Sequence, residues 1–236
     1  MRALLAQLRV EVSLALRRPE NLLITLVVPV MLLIFFGSVL PTTPDFLVPG
    51  LLALAVMSTS MVSLGIATAY ERYYGALKRL LGSPLPKASL IVAKTLAMLL
   101  IEVVQIGLLL AIARLMFGWQ PAGSPLAGLA VVILGSAAFA GLGLLMAGTL
   151  RAEATLALAN GLYLVFLLLG GFIVPLDNLP GPIATVARVL PAAALTDATR
   201  AALRSGSDQG VLGPLALLAA WAVVTMGAAA LTFRPE

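Results

Sequence analysis

Glu102 stands inside the apolar run Ile91–Phe117, with Gln105 close to the same helical face. A carboxyl group at the centre of a bilayer costs about 2.5–3.5 kcal/mol on an insertion scale, so by default it faces a bundle interior and is a candidate for handling charge. The alternative is a structural hydrogen bond to a neighbouring helix, for which Asn160, in another apolar run, offers an amide. A second concentration of reactive types lies at Tyr70–Pro86 and just beyond it. Glu71, Arg72, Lys78, Arg79 and Lys87 gather there in a chain only 11% charged. The chain has no histidine and no cysteine, which excludes Ser-His catalysis, histidine-ligated metals, disulfides and thiolate sites. No catalytic group and no metal site is expected. No G-x-x-x-x-G-K-[ST] loop is present to cradle nucleotide phosphates, so this chain binds no nucleotide cofactor of its own.

The elements that must position these residues are membrane helices. Of 236 residues, 61% are hydrophobic, which places the chain among all-α integral membrane proteins. A hydrocarbon core of about 30 Å is crossed by about 20 helical residues. Six runs qualify: Leu22–Leu40, Phe46–Tyr70, Ile91–Phe117, Pro125–Leu150, Ala154–Val174 and Val211–Phe233. With the N-terminus inside, eleven of the fifteen Lys and Arg residues fall on the inner side. That asymmetry predicts both termini in the cytoplasm. The formal charge of +5 belongs to this orientation and to anionic headgroups rather than to nucleic acid. Short connections and the lack of a convincing repeat predict one domain over residues 1–236.

Residues 3–18 form an amphipathic helix too polar to span. Leu4, Leu5, Leu8, Val12, Ala15 and Leu16 recur at helical spacing while Arg9 and Glu11 point elsewhere. Such a helix lies in the headgroup plane or simply orients the first span. At the inner loop, Tyr70, Tyr73, Tyr74, Leu77, Leu80 and Leu81 share one face of a predicted helix that Gly82 and Pro84 end. That face docks into a groove on a soluble partner or rests on the membrane. After the fifth span, Gly170-Gly171 leads into a segment with prolines at 175, 180, 182 and 191. Its apolar stretch Ile183–Leu195 is too short to cross and is broken by Arg188 and Pro191, so two short helices dipping back from the outer surface are expected. In the fourth span Ala137, Gly141, Gly143 and Ala147 follow small-xxx-small spacing, suited to packing within the subunit or to a dimer seam.

Residues 71–85, ERYYGALKRLLGSPL, resemble the cytoplasmic loop of ABC-2-type exporter permeases. Residues 170–203 are similar to that family's motif after the fifth span: a Gly-Phe-x-x-Pro-x-x-x-Leu-Pro run, then Leu-Pro and Asp-x-x-Arg. Gly171, Pro175, Leu179, Pro180, Pro191, Asp197 and Arg200 occupy those positions. The resemblance covers essentially the whole chain. It implies a coupling helix, carried by Tyr70, Glu71, Arg72, Tyr74, Gly75, Leu77, Lys78, Arg79 and Leu81, inserted into a cleft on a separate ATPase. It also implies an interfacial N-terminal helix and an outer re-entrant helical pair before the last span. Two departures stand out: Glu71 is nearly alone where the family often has several acids, and Ala76 replaces a threonine.

The implied function is the permease subunit of an ABC exporter in a bacterial or archaeal cytoplasmic membrane, not an enzyme itself. Two ATP-binding subunits would carry ATP and Mg, and a second permease chain, identical or homologous, would complete a dimer. The apolar spans suit an amphipathic or lipid-like substrate such as a drug, antibiotic or lipid. The reading from a different class is an ion-gradient-driven secondary transporter using Glu102. It explains the intramembrane acid but neither the inner helix nor the absence of inverted repeats.

Overall fold

A backbone in hydrocarbon must satisfy its own hydrogen bonds, so charge-poor runs of Leu, Val, Ala and Ile fold as helices. The computed structural model describes residues 2–17, 19–39, 43–76, 87–204 and 210–232. Among them there is no strand. The helices are α1 (Arg2–Leu16), α2 (Pro19–Val39), α3 (Pro44–Met57), α4 (Leu64–Tyr73), α5 (Lys87–Phe117), α6 (Pro125–Thr149), α7 (Ala152–Leu169), α8 (Gly181–Val189), α9 (Pro191–Leu203) and α10 (Leu212–Thr232). A π-helical turn, Ser58–Ser63, joins α3 and α4 into one rod of 30 residues. Five helices are long and apolar enough to cross a membrane: the α3–α4 rod, Ile91–Phe117, α6, α7 and α10. The first predicted span falls on α2, whose described apolar portion, Thr25–Val39, is shorter.

The rod is the axis of the bundle. From Leu47 to Met57 every residue is buried, which suits a run with no polar side chain. α6 lies beside it, and α10 packs along α6. The small residues of α6 make these crossings close. A Cβ on Gly143 would stand 2.7 Å from the Met61 carbonyl oxygen, and one on Gly141 would strike Thr225. On the other flank α5 packs against α3, and α1 and α2 pack against α5. α9 plugs the far end between α3, α6 and α10.

Three sequence expectations change. The fifth span ends at Leu169, not Val174, because Gly170 caps the helix and Gly171 takes φ +70°, a conformation a side chain disfavours. The helix at the basic end stops at Tyr73: Tyr74 is its cap and Gly75, at φ +70°, turns the chain away, so no single helix runs from Tyr70 to Leu81. In α1 the buried edge is polar. Gln7 and Glu11 are enclosed while Leu5 and Leu16 face outward, because α1 packs against a lysine of α5 rather than against an apolar ridge.

Candidate functional site

The basic end is built around the last turn of α4. Glu71 binds the Nζ of Lys94 on α5, and Lys94 also donates to Glu11 on α1 at 3.0 Å. Gln7 Nε2 donates to the other Glu11 oxygen at 2.8 Å. Lys94 is 4% exposed and Glu11 9%, so both are held by each other rather than by water. A cavity of about 120 Å³ opens beside them, lined by Glu11, Thr68, Glu71, Lys94 and Met98. Next along α4, Arg72 Nη2 donates to the Leu150 carbonyl at the C-terminus of α6. A cation there is favoured by the helix dipole. Tyr70, Tyr73 and Tyr74 form a ring cluster, with Tyr73 and Tyr74 rings 5.2 Å apart and both strongly exposed. One short segment is thus tied by two charges to α1, α5 and α6 while it presents aromatic surface outward. Leu77, Lys78, Arg79 and Leu81 lie outside the described residues.

Glu102 is fully enclosed midway along α5. Ser60 donates to its Oε1 and Ser136 to its Oε2, joining α5 to the π turn and to α6. Gln105, also buried, accepts from Thr59 Oγ1 at 2.9 Å and donates to the Thr25 carbonyl at 2.8 Å. Four helical segments meet on these two side chains. Asn160 is not among them: it is exposed on α7 and donates to its own helix at Leu156 O, 2.9 Å away. The rotation of α7 puts that amide on the side away from Glu102. An acid with both oxygens hydrogen-bonded to hydroxyls and no exposed surface ties α5 to the π turn and to α6 as a packing node.

At the far end Arg200 and Asp197 do not pair. Arg200 instead donates to Gly171 O at 2.6 Å and lies 3.8 Å above the Phe46 ring. Burial pushes its guanidinium down to about 10, with the nearby Asp197 charge pulling it back up. Asp197 is exposed. Pro191 opens α9, and Pro182 lies in the first turn of α8, where a missing N–H costs nothing. Gly171 is buried, Pro175 and Leu179 are half-buried, and Pro180 is exposed. An exposed ion pair, Arg188 to Asp177 at 2.7 Å, ties α8 to the short helical turn Leu176–Asn178. Between α3, α5, α6 and α9 an apolar cavity of about 460 Å³ is lined by Val56, Ile106, Leu129 and Leu195, with Ser124 and Thr199 adding hydroxyls.

The helical bundle thus carries a braced, aromatic basic end and two short helices before its last span. A family model described as ABC-2 type transporter matches residues 2–203. The chain belongs to the ABC-2 type transporter family. No curated protein matches it. It is therefore a multi-pass transport permease, a membrane component of a transporter, and the match reaches from α1 through α9 of this permease.

The sequence missed the Glu11–Lys94–Glu71 bridge. The only signal for it was an acid in α1, a helix otherwise without one, and a lysine four residues inside the third predicted span. It also missed Ser60 and Ser136, whose hydroxyls raise no flag among small residues.

Proposed function

We propose that this permease is half of an ATP-driven exporter: two permease chains working with two copies of an ABC ATP-binding subunit that holds ATP and Mg. The basic end, with both termini, faces the cytoplasm of a bacterial or archaeal cell, and the whole chain is one transmembrane domain of six spans, α2 being the first. The inner end of α4 and the turn after it act as the coupling helix. The observation that carries this reading is the bracing of Glu71 and Arg72. A lever must be rigid where it joins the moving body, and these two residues join it to α1, α5 and α6. Exposed Tyr73 and Tyr74 then offer the ATPase an aromatic surface, a residue type enriched at interfaces. Closure of the ATPases biases the spans between two conformations. α8 and α9 form the outer re-entrant pair. The apolar 460 Å³ cavity supports an amphipathic or lipid-like cargo such as a drug, antibiotic or lipid.

The test is purification of the tagged permease from native membranes in mild detergent, with assay of vanadate-sensitive ATP hydrolysis. A co-purifying ATPase that is lost with Leu77→Asp supports the reading. A lone protein without ATPase activity overturns it.

A further inference from the structure

We infer that a hollow between α1 and α5, at the basic end, seats a membrane phospholipid that carries two phosphate groups. α1 turns its polar edge into the protein: Gln7 and Glu11 are buried, and Glu11 is tied to Lys94. The other side of the same helix lines a hollow of about 540 Å³, with Leu100 of α5 as its opposite wall. That volume falls within the ~300–1,000 Å³ typical of ligand sites. Two rows of α1 line it, each with residues four apart and so stacked along one strip of the helix. One row is Leu8, Val12 and Leu16; the other is Arg9, Ser13 and Arg17.

The two rows match the two halves of a lipid. The apolar row faces Leu100, which stands further along α5 than Lys94, toward the middle of the span. Leu16 and Leu100 are 64% and 51% exposed, and at a membrane interface such side chains meet acyl chains. The other row sets a guanidinium at each end and a hydroxyl between. Arg9 and Arg17 are exposed, and neither enters an ion pair among the described residues. No acid lines the hollow, since Glu11, the one acid of α1, lies on the far edge with Lys94. Basic pockets between membrane helices take anionic headgroups. Eight residues separate Arg9 from Arg17, about 12 Å along the axis. A single phosphate serves both only by drawing the two side chains together over Ser13. Two phosphates on one headgroup give each guanidinium a bidentate partner of its own, and the Ser13 hydroxyl donates between them. The lipid then holds the outer side of α1 as Lys94 holds the inner.

Native mass spectrometry of the full-length permease in mild detergent reads the occupant directly. Diphosphatidylglycerol, phosphatidylglycerol and phosphatidylcholine with the same acyl chains are titrated in turn. One diphosphatidylglycerol per chain is expected, held roughly five-fold more tightly than phosphatidylglycerol and roughly thirty-fold more tightly than phosphatidylcholine. Arg9→Gln together with Arg17→Gln is expected to weaken it roughly thirty-fold and to erase the preference. Lysine at both positions keeps the charges and recovers most of the binding, which a purely structural role for the arginines does not predict. Leu16→Gln weakens all three lipids alike, because it acts on the tail side. Arg114→Gln, an exposed cation in the last turn of α5, leaves binding unchanged. The inference is overturned if phosphatidylglycerol binds as tightly as diphosphatidylglycerol, or if the double glutamine variant binds like the wild type. It is equally overturned if the lipid is lost whenever an ATPase subunit is bound, which assigns the hollow to that protein.

Discussion

Replacing Lys94 by methionine tests the brace at the basic end most sharply. The side chain keeps its length and loses its charge, leaving Glu11 and Glu71 facing each other with little water, their side chains 9% and 13% exposed. Breaking a buried ion pair by removing one partner costs about 3–5 kcal/mol. Lys94 serves two carboxylates, so the upper part of that range applies. At 1.4 kcal/mol per decade, the folding equilibrium shifts by roughly three to four powers of ten. The assay is equilibrium denaturation in mixed micelles, followed by the fluorescence of the two tryptophans, Trp119 and Trp221. The companion is the triple variant Glu11→Leu, Glu71→Leu and Lys94→Met. With no orphaned charge left it recovers most of the loss, since apolar replacement of a whole buried ion cluster is often neutral or better. An unchanged midpoint for Lys94→Met, or a triple variant no more stable than the single one, refutes the ion brace.

Glu102→Gln is expected to fold with a loss of at most about 1.5 kcal/mol and to transport normally, because an amide still meets both serine hydroxyls. Glu102→Leu strands those hydroxyls at about 1–3 kcal/mol each, and equal denaturation midpoints for the two variants would contradict the node. Gly50→Ala drives a Cβ into the Phe172 carbonyl oxygen. About 1–3 kcal/mol is expected from such overpacking, read as a lowered denaturation midpoint. Arg200→Ala removes a charged hydrogen bond of about 1.5–3 kcal/mol and a cation–π contact of about 0.5–2 kcal/mol; Arg200→Lys recovers part of this. Arg72→Glu sets a carboxylate against the Leu150 carbonyl and is expected to uncouple export from ATP hydrolysis in reconstituted vesicles.

The spans were legible because apolar runs bounded by glycine, proline and charge have one physical outcome in a bilayer, and α6 and α10 lie within a residue or so of their predicted limits. What was not legible was rotation about each helix axis. Glu102 announced itself as an intramembrane acid, yet the amide offered for a structural hydrogen bond was Asn160, because sequence spacing does not say which way α7 turns. Glu11 was read as pointing off the packed face because amphipathicity assumes that polar groups seek water. Here the buried edge of α1 is polar, since Lys94 needed a counter-charge more than α1 needed an apolar contact. Gly75 was read as part of a helix, and only its positive φ shows the break.

The bridge between Glu11 and Lys94 spans 83 residues, and this fixes an order of events during synthesis. α1 leaves the ribosome well before α5, so its docking partner arrives only with the third predicted span. Until Lys94 is delivered, Glu11 lacks its ion partner, and α1 has its packing on α2 and its own leucines and arginines to hold it at the membrane surface. α1 is thus made early and locked late, and a chain arrested before residue 94 leaves it without its ion bridge to α5.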